Sequence, residues 1–120
     1  MSVHIEADGD AMYLRIVYSD TILLTDIDQA LDELAAHLSG SNRPVLVDWS
    51  EGALSITHAE FMGRLDDWFD RLGSGLQVAM VFNAISQRDQ SMLTDTKNFL
   101  KGGGVRTFTD RDTAEKWLTA

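Results

Sequence analysis

Val105-Arg106-Thr107-Phe108-Thr109-Asp110-Arg111-Asp112-Thr113-Ala114-Glu115-Lys116-Trp117-Leu118, near the end of the chain, decides the fold class. Val105 to Phe108 reads as a short strand, and a turn rich in capping residues follows it. Asp112-Thr113-Ala114-Glu115 fits a capping box for a closing amphipathic helix. Working back toward the start, the same strand-then-helix grammar recurs twice.

Val78 to Phe82 is a continuous apolar run, as a strand covered on both faces requires. Ser86 to Asp89 is expected to cap a third helix that carries Met92, Leu93, Thr96, Phe99 and Leu100 inward, and Gly102-Gly103-Gly104 breaks it. Earlier, Pro44 opens a second buried strand, Val45-Leu46-Val47-Asp48-Trp49. Thr57-His58-Ala59-Glu60 is a capping box, and Phe61, Met62, Leu65, Trp68, Phe69 and Leu72 form the apolar stripe of the helix behind it. Glu60–Arg64 and Asp67–Arg71 are spaced to pair on its solvent side, and Gly73 is a natural stop. Gly63 costs about 1 kcal/mol inside that helix and suggests a close approach by another element.

The first helix is expected near Thr25-Asp26, with Ile27, Ala30, Leu31, Leu34, Ala35 and Leu38 inward and Gly40-Ser41-Asn42 ending it. Before it, Val3 and Ile5 alternate with His4 and Glu6, Asp8-Gly9 supplies a tight turn, and a return strand runs from about Met12 to Tyr18. Leu14, Ile16 and Tyr18 share one face of that strand. The whole predicts one α/β domain over residues 1–120. Its single-layer, mainly parallel sheet has right-handed crossovers, an N-terminal antiparallel hairpin and about four helices.

The chain has 120 residues, 44% hydrophobic and 24% charged, as soluble globular domains do. It holds no cysteine, which removes disulfides, thiolate metal sites and a cysteine nucleophile. No basic-then-apolar leader and no membrane-length apolar run occur, so a cytoplasmic location is the expectation. The net charge of −9 falls entirely on residues 1–60, where eleven acids face two bases, Arg15 and Arg43. Such a surface argues against nucleic acid and anionic membranes; its plainer role is to keep the domain soluble, and its other is to steer a basic protein partner.

The order and texture of these elements, from the Val45-Leu46-Val47-Asp48 strand through Val78-Ala79-Met80-Val81-Phe82 to the closing Val105-Arg106-Thr107-Phe108 and Ala114-Glu115-Lys116-Trp117-Leu118, resemble bacterial SpoIIAA-like proteins. These are grouped with STAS domains and compared in fold with CRAL-TRIO lipid-transfer domains. The resemblance spans essentially the whole chain and implies a binding or partner-switching module. STAS anti-sigma-factor antagonists carry an Asp-Ser-Ser-Gly-like sequence before the second helix, with one serine phosphorylated. Here the matching segment runs from Asp48-Trp49-Ser50-Glu51-Gly52 to Thr57-His58, and that motif is absent. Ser55 and Thr57 place hydroxyls near the same point, which keeps them as phosphorylation candidates.

Ligands of open α/β sheets bind beyond the carboxyl ends of parallel strands. Two segments meet that description, Trp49 to Ile56 and Asn83 to Gln90, and each leads into a helix start suited to an anion. Trp49, Ser50, Ser55, Thr57, His58, Asn83, Ser86 and Arg88 are the candidate ligand- or partner-binding residues. Thr57 and Ser86 also have the plainer role of helix caps. Trp49, Phe82, Trp68, Met62, Met80 and Met92 are residue types that build adaptable apolar pockets, though most sit where a core must be filled. His4, His37 and His58 have no metal-ligand spacing. Ser55, His58 and Asp48 are triad residue types without a nucleophile-elbow pattern.

No catalytic residue, metal or cofactor is therefore assigned. The residues are read as a non-catalytic regulatory or protein-binding module, acting through its acidic first half and the 49–58 segment, with Ser55 and Thr57 as candidate points of phosphorylation control. The alternative is a carrier or sensor of a small apolar or anionic ligand at the strand ends. A homodimer through an exposed edge strand is compatible with either.

Overall fold

The computed structural model of the chain describes residues 3–6, 13–38, 43–72, 76–101 and 104–119. Five strands form one sheet in the order β1-β2-β3-β4-β5: β1 Val3–Glu6, β2 Leu14–Ile22, β3 Val45–Leu54, β4 Gln77–Val81 and β5 Gly104–Phe108. Four helices intervene, α1 Leu24–His37, α2 His58–Leu72, α3 Arg88–Lys101 and α4 Arg111–Leu118. Strands β2 to β5 run parallel. β1 pairs antiparallel with β2, Val3 against Tyr18 and Glu6 against Arg15, while the Asp8-Gly9 turn lies outside the described residues.

Period-two alternation sorts side chains onto two faces. On one face, Leu14, Ile16 and Tyr18 of β2, Val45, Val47 and Trp49 of β3, and Val78 and Met80 of β4 join the apolar stripes of α1 and α2 in the main core. On the other, Leu46, Ala79 and Val81 meet Ala114 and Leu118 of α4 in a smaller one. Strands covered on both sides have to be continuously apolar, which accounts for the Val45–Val47 and Val78–Phe82 runs.

Several local expectations change. Strand β3 does not end at Trp49; it continues to Leu54 because β2 continues beside it. Ser19 to Ile22 pair with Glu51 to Leu54 after a register shift between Val17 and Ser19. Asp20, with φ of 58°, sits in this stretch, and aspartate is among the side chains that tolerate that conformation. The last helix starts earlier than the 112–115 pattern implies. Asp110 is its cap and accepts hydrogen bonds from the Thr113 amide at 2.9 Å and the Thr113 hydroxyl at 2.7 Å. Those bonds, the hydroxyl's first, hold the Asp110 carboxyl below its ordinary range. Gly63 has open space where a side chain would stand, so no close approach explains it. Gly104 does have such a reason: a Cβ there would meet the Leu76 carbonyl oxygen at 2.6 Å.

The two arginines of α2 also find other partners than expected. Arg64 Nε lies 2.6 Å from Asp28 of α1, and Arg71 Nη1 lies 2.8 Å from Asp32, one turn further on. The acids on the outer face of α1 reach these bases across the helix pair. The result is two ion pairs that fasten α1 to α2, each partly exposed and each contributing little on its own.

Candidate functional site

The carboxyl ends of β3 and β4 were the expected ligand crevice, and the structure joins them instead. Gln87, buried between the two segments, donates from Nε2 to the Trp49 carbonyl at 2.7 Å and to the Gly52 carbonyl at 3.0 Å. Its Oε1 accepts the Asn83 amide at 2.8 Å. One amide thus satisfies three backbone groups of two different chain segments. Asn83 turns its own side chain back to accept the Ile85 and Ser86 amides, both at 3.0 Å. The Gln87 amide donates to the Asn83 carbonyl and closes a turn ahead of α3, and the Ser91 amide donates to the Gln87 carbonyl, so Gln87, not Ser86, stands at the start of the helix.

Trp49 is a core residue. Its ring stacks on Tyr18 with centroids 4.3 Å apart and an interplanar angle of 2°, and lies near-parallel to Phe82 at 6.2 Å. Phe61 meets Trp49 edge-on at 5.8 Å. Trp49 Nε1 is buried with no hydrogen-bond partner among the described residues. The crevice beside it, lined by Tyr18, Ile27, Phe61, Arg64 and Trp68, leaves only about 10 Å³. That is the room one water needs, far below the volume of an organic ligand. Burial, reinforced by the charges of Asp26 and Asp28, pushes the Tyr18 hydroxyl well above the ordinary tyrosine range. An acid whose folded pKa is raised contributes stability that is complete below its unfolded value and lost as pH rises through the folded one. Wild-type protein is therefore expected to lose urea resistance above about pH 10, and Tyr18→Phe to lose less over the same interval, as followed by tryptophan fluorescence.

Ser50 and Asp48 belong to a second cluster, on the α4 side. Asp48 is almost fully buried, and its Oδ2 accepts from Arg111 Nε at 2.9 Å and Nη2 at 2.6 Å. Its Oδ1 accepts from the Ser50 amide at 2.9 Å and hydroxyl at 2.6 Å. The Asp48 hydrogen bond, more than the pair's charge attraction, raises the Arg111 guanidinium above its already high range. An arginine in the first turn of a helix opposes the helix dipole, and Asp48 offsets that cost. Sequence reasoning did not connect these two residues. The available signal was a carboxylate at the end of an apolar strand, which must find a buried partner.

Ser55, Thr57, His58 and Arg88 are all exposed. Thr57 and Glu60 form the expected reciprocal cap: the Thr57 hydroxyl accepts the Glu60 amide at 3.1 Å and the Glu60 carboxylate accepts the Thr57 amide at 2.9 Å. Thr57→Ala should cost about 1 kcal/mol of unfolding free energy by urea titration, with Thr57→Ser close to wild type. His58 Nε2 lies 3.7 Å from Asp89 of α3. These two residues, with Met92, Leu93 and Thr96, line a shallow groove of about 320 Å³ between α2 and α3. Among the described residues, no hydrogen bond joins any two of Ser55, His58 and Asp48.

Helix α3 turns most of its expected inward stripe outward, while Leu93 stays inward against the main core as expected. Met92, Phe99 and Leu100 point outward, 57%, 83% and 71% exposed, and Ile85 ahead of the helix is 91% exposed. Inward lie Gln90 and Thr94, both buried, with Leu93, Lys97 and Asn98 half-buried. The helix is fastened by polar groups. Lys97 pairs with Asp66 of α2 at 2.7 Å, Asn98 Oδ1 accepts the Val105 amide of β5 at 2.9 Å, and Asp95 accepts the Thr107 hydroxyl at 2.8 Å. Asn98 thereby also occupies part of the outer edge of β5. Amphipathic periodicity marks an apolar stripe without saying whether it faces the core, and here the polar stripe is the one that docks.

This architecture is a SpoIIAA-like fold. The chain is similar to the crystal structure of an uncharacterized protein of the DUF3478 family with a SpoIIAA-like fold from Shewanella loihica PV-4. The TM-score is 0.64 at 24% sequence identity, over 97% of this chain and 91% of that chain. No family model matches the chain, and no curated protein matches it. Among the described residues, no helix is long and apolar enough to cross a membrane, and no group of three His, Asp or Glu side chains is placed to hold a metal ion.

Proposed function

We propose that the chain is a non-catalytic protein-binding module whose docking surface is the outward face of α3 with the adjoining His58–Asp89 groove. The observation that carries this reading is the outward stripe of α3. Four of the five large hydrophobic side chains exposed among the described residues, Ile85, Met92, Phe99 and Leu100, lie on α3 or its lead-in turn. An apolar stripe of that kind costs solubility unless a partner covers it. The SpoIIAA-like fold supports a binding role by resemblance. The commitment of Asp48 to Arg111 and Ser50, away from His58, counts against a hydrolytic triad.

Phosphorylation of Thr57 or Ser55 would regulate such a module. A phosphate on Thr57 adds about −1.5 to −2 charge next to His58 on the rim of the groove, altering the surface without refolding the domain. A small-ligand carrier finds less support, because Gln87 joins the strand-end segments and the aromatic crevice is closed.

The test is photo-crosslinking in the source cell, with a benzophenone amino acid placed at position 99 and, as control, at exposed position 36 of α1. Protein adducts at 99 and not at 36 are expected. Equal labelling at both positions, or labelling at neither, would remove the α3 face as a binding surface.

A further inference from the structure

The outward face of α3 carries a charge pattern complementary to itself. Met92 and Phe99 are seven residues apart on the helix, and Ile85 is exposed just ahead of it, in a separate turn closed by the Gln87–Asn83 backbone bond. Seven residues are close to two full turns, so Met92 and Phe99 fall on one line along the helix, with Arg88 and Asp95 along one flank of it. Met92 lies close to the midpoint between Arg88 and Asp95. We propose that the partner is a second copy of this chain, bound α3 against α3, antiparallel, about a two-fold axis near Met92. This inference rests on the proposed docking role of the α3 face and adds the identity of its occupant.

The two-fold operation makes every contact reciprocal. It sets Met92 against its own counterpart, and Phe99 of one copy toward the lead-in turn of the other. Arg88 lies four residues before the axis and Asp95 three after it, on the same flank of the apolar line. The same operation therefore brings Arg88 of each copy within one residue of Asp95 of the other, giving two equivalent opposite-charge pairs. On the other flank, Asp89 comes to the level of Thr96, so no like charges are opposed. Antiparallel packing also sets the two helix dipoles head to tail.

Position and charge on the rest of the molecule agree. Helix α3 packs between α2 and β5, and β5 ends the sheet, so a second α3 would extend the row beyond the sheet edge. The acid excess of the chain lies in residues 1–60, whereas residues 61–120 carry eight acids and eight bases, so the self-repulsion of a chain at −9 is weakest here. An anionic bilayer is the poorer occupant, because Asp89 and Asp95 flank the stripe where a membrane-surface helix carries lysine and arginine.

The absence of cysteine permits a direct test. Met92→Cys and, as control, Ala36→Cys on the exposed face of α1 are oxidised with copper phenanthroline, and the untagged wild type is examined by sedimentation equilibrium. The expected results are a monomer–dimer equilibrium and a disulfide-linked dimer from Met92→Cys far faster than from Ala36→Cys. Phe99→Glu should raise the dimer dissociation constant by about tenfold or more. Arg88→Asp should weaken the dimer, and Asp95→Arg added to it should recover most of the loss, with the urea stability of Asp95→Arg alone measuring what its bond to the Thr107 hydroxyl contributes. A wild type that stays monomeric at all accessible concentrations, with Met92→Cys linking no faster than the control, overturns the inference. If position 99 still labels another protein in the cell, the docking reading survives that failure. If position 99 labels nothing, both fall. Binding of the monomer to phosphatidylglycerol vesicles, abolished by Phe99→Glu, would assign the face to a membrane and overturn both.

Discussion

Arg111→Ala is expected to destabilise the protein by about 3 kcal/mol in urea titration, several-fold more than Asp48→Asn. The difference follows from where each charge is left. Without Arg111, the Asp48 carboxylate, 2% exposed in the wild type, is left with only the Ser50 amide and hydroxyl as donors. Without the Asp48 charge, Arg111, already one-third exposed, can turn its guanidinium into water. An expectation of about 1 kcal/mol for Asp48→Asn follows from its exposed partner. Replacing both residues by leucine and methionine should recover much of the Arg111→Ala loss, because an apolar pair avoids the desolvation of two ions. Equal costs for the two single changes would mean that Asp48 is not the buried member of this pair.

Gln87→Leu is the second large effect, also about 3 kcal/mol. The leucine fits the volume approximately but leaves the Trp49 carbonyl, the Gly52 carbonyl and the Asn83 amide without their side-chain partner. Each unsatisfied buried group costs about 1–3 kcal/mol, moderated here where water reaches Gly52 and Asn83. Gln87→Glu should be comparably damaging at neutral pH, since a carboxylate cannot donate to the two carbonyls. Hydrogen exchange should show the loss concentrated at the 49–54 and 83–87 segments. A uniform change across the sheet would contradict the assignment of Gln87 as a local clamp.

These two residues also mark where the sequence stops being legible. The strand–helix order, the Thr57–Glu60 cap and the stripes of α1 and α2 follow from local rules: periodicity, capping chemistry and continuous apolar runs. The continuation of β3 to Leu54 does not, because it depends on β2 running alongside after a register shift. Gln87 gives no local signal of its clamp either, since the two carbonyls it donates to lie 35 and 38 residues away. The partner of Asp48 is 63 residues distant. Arg64 and Arg71 had acids at helical spacing and still paired with α1, because tertiary proximity offered Asp28 and Asp32.

The facing of α3 is the most consequential case. Its apolar and polar stripes have comparable definition, and the general preference for burying the apolar one predicts the wrong side. What decides is the set of polar groups waiting on the neighbours: Asp66 on α2, and the Val105 amide and Thr107 hydroxyl on β5. Candidate residues drawn from strand ends accordingly divide. Trp49 serves the core, Asn83 holds the turn ahead of α3, and Ser50 supports a buried ion pair, while Thr57, His58 and Arg88 remain at the surface around the α3 face.

The measurement that tests the central claim most directly combines stability and association in one variant, Phe99→Glu, compared with wild type in urea titration and in photo-crosslinking from position 92. Because Phe99 is 83% exposed, the unfolding free energy, measured at a protein concentration where the wild type is monomeric, should stay within about 0.5 kcal/mol of wild type, while the position-92 adducts disappear. A variant that loses several kcal/mol would place Phe99 inside the molecule. A stable variant that keeps every adduct would show that the α3 face binds nothing through Phe99, and either result contradicts the account.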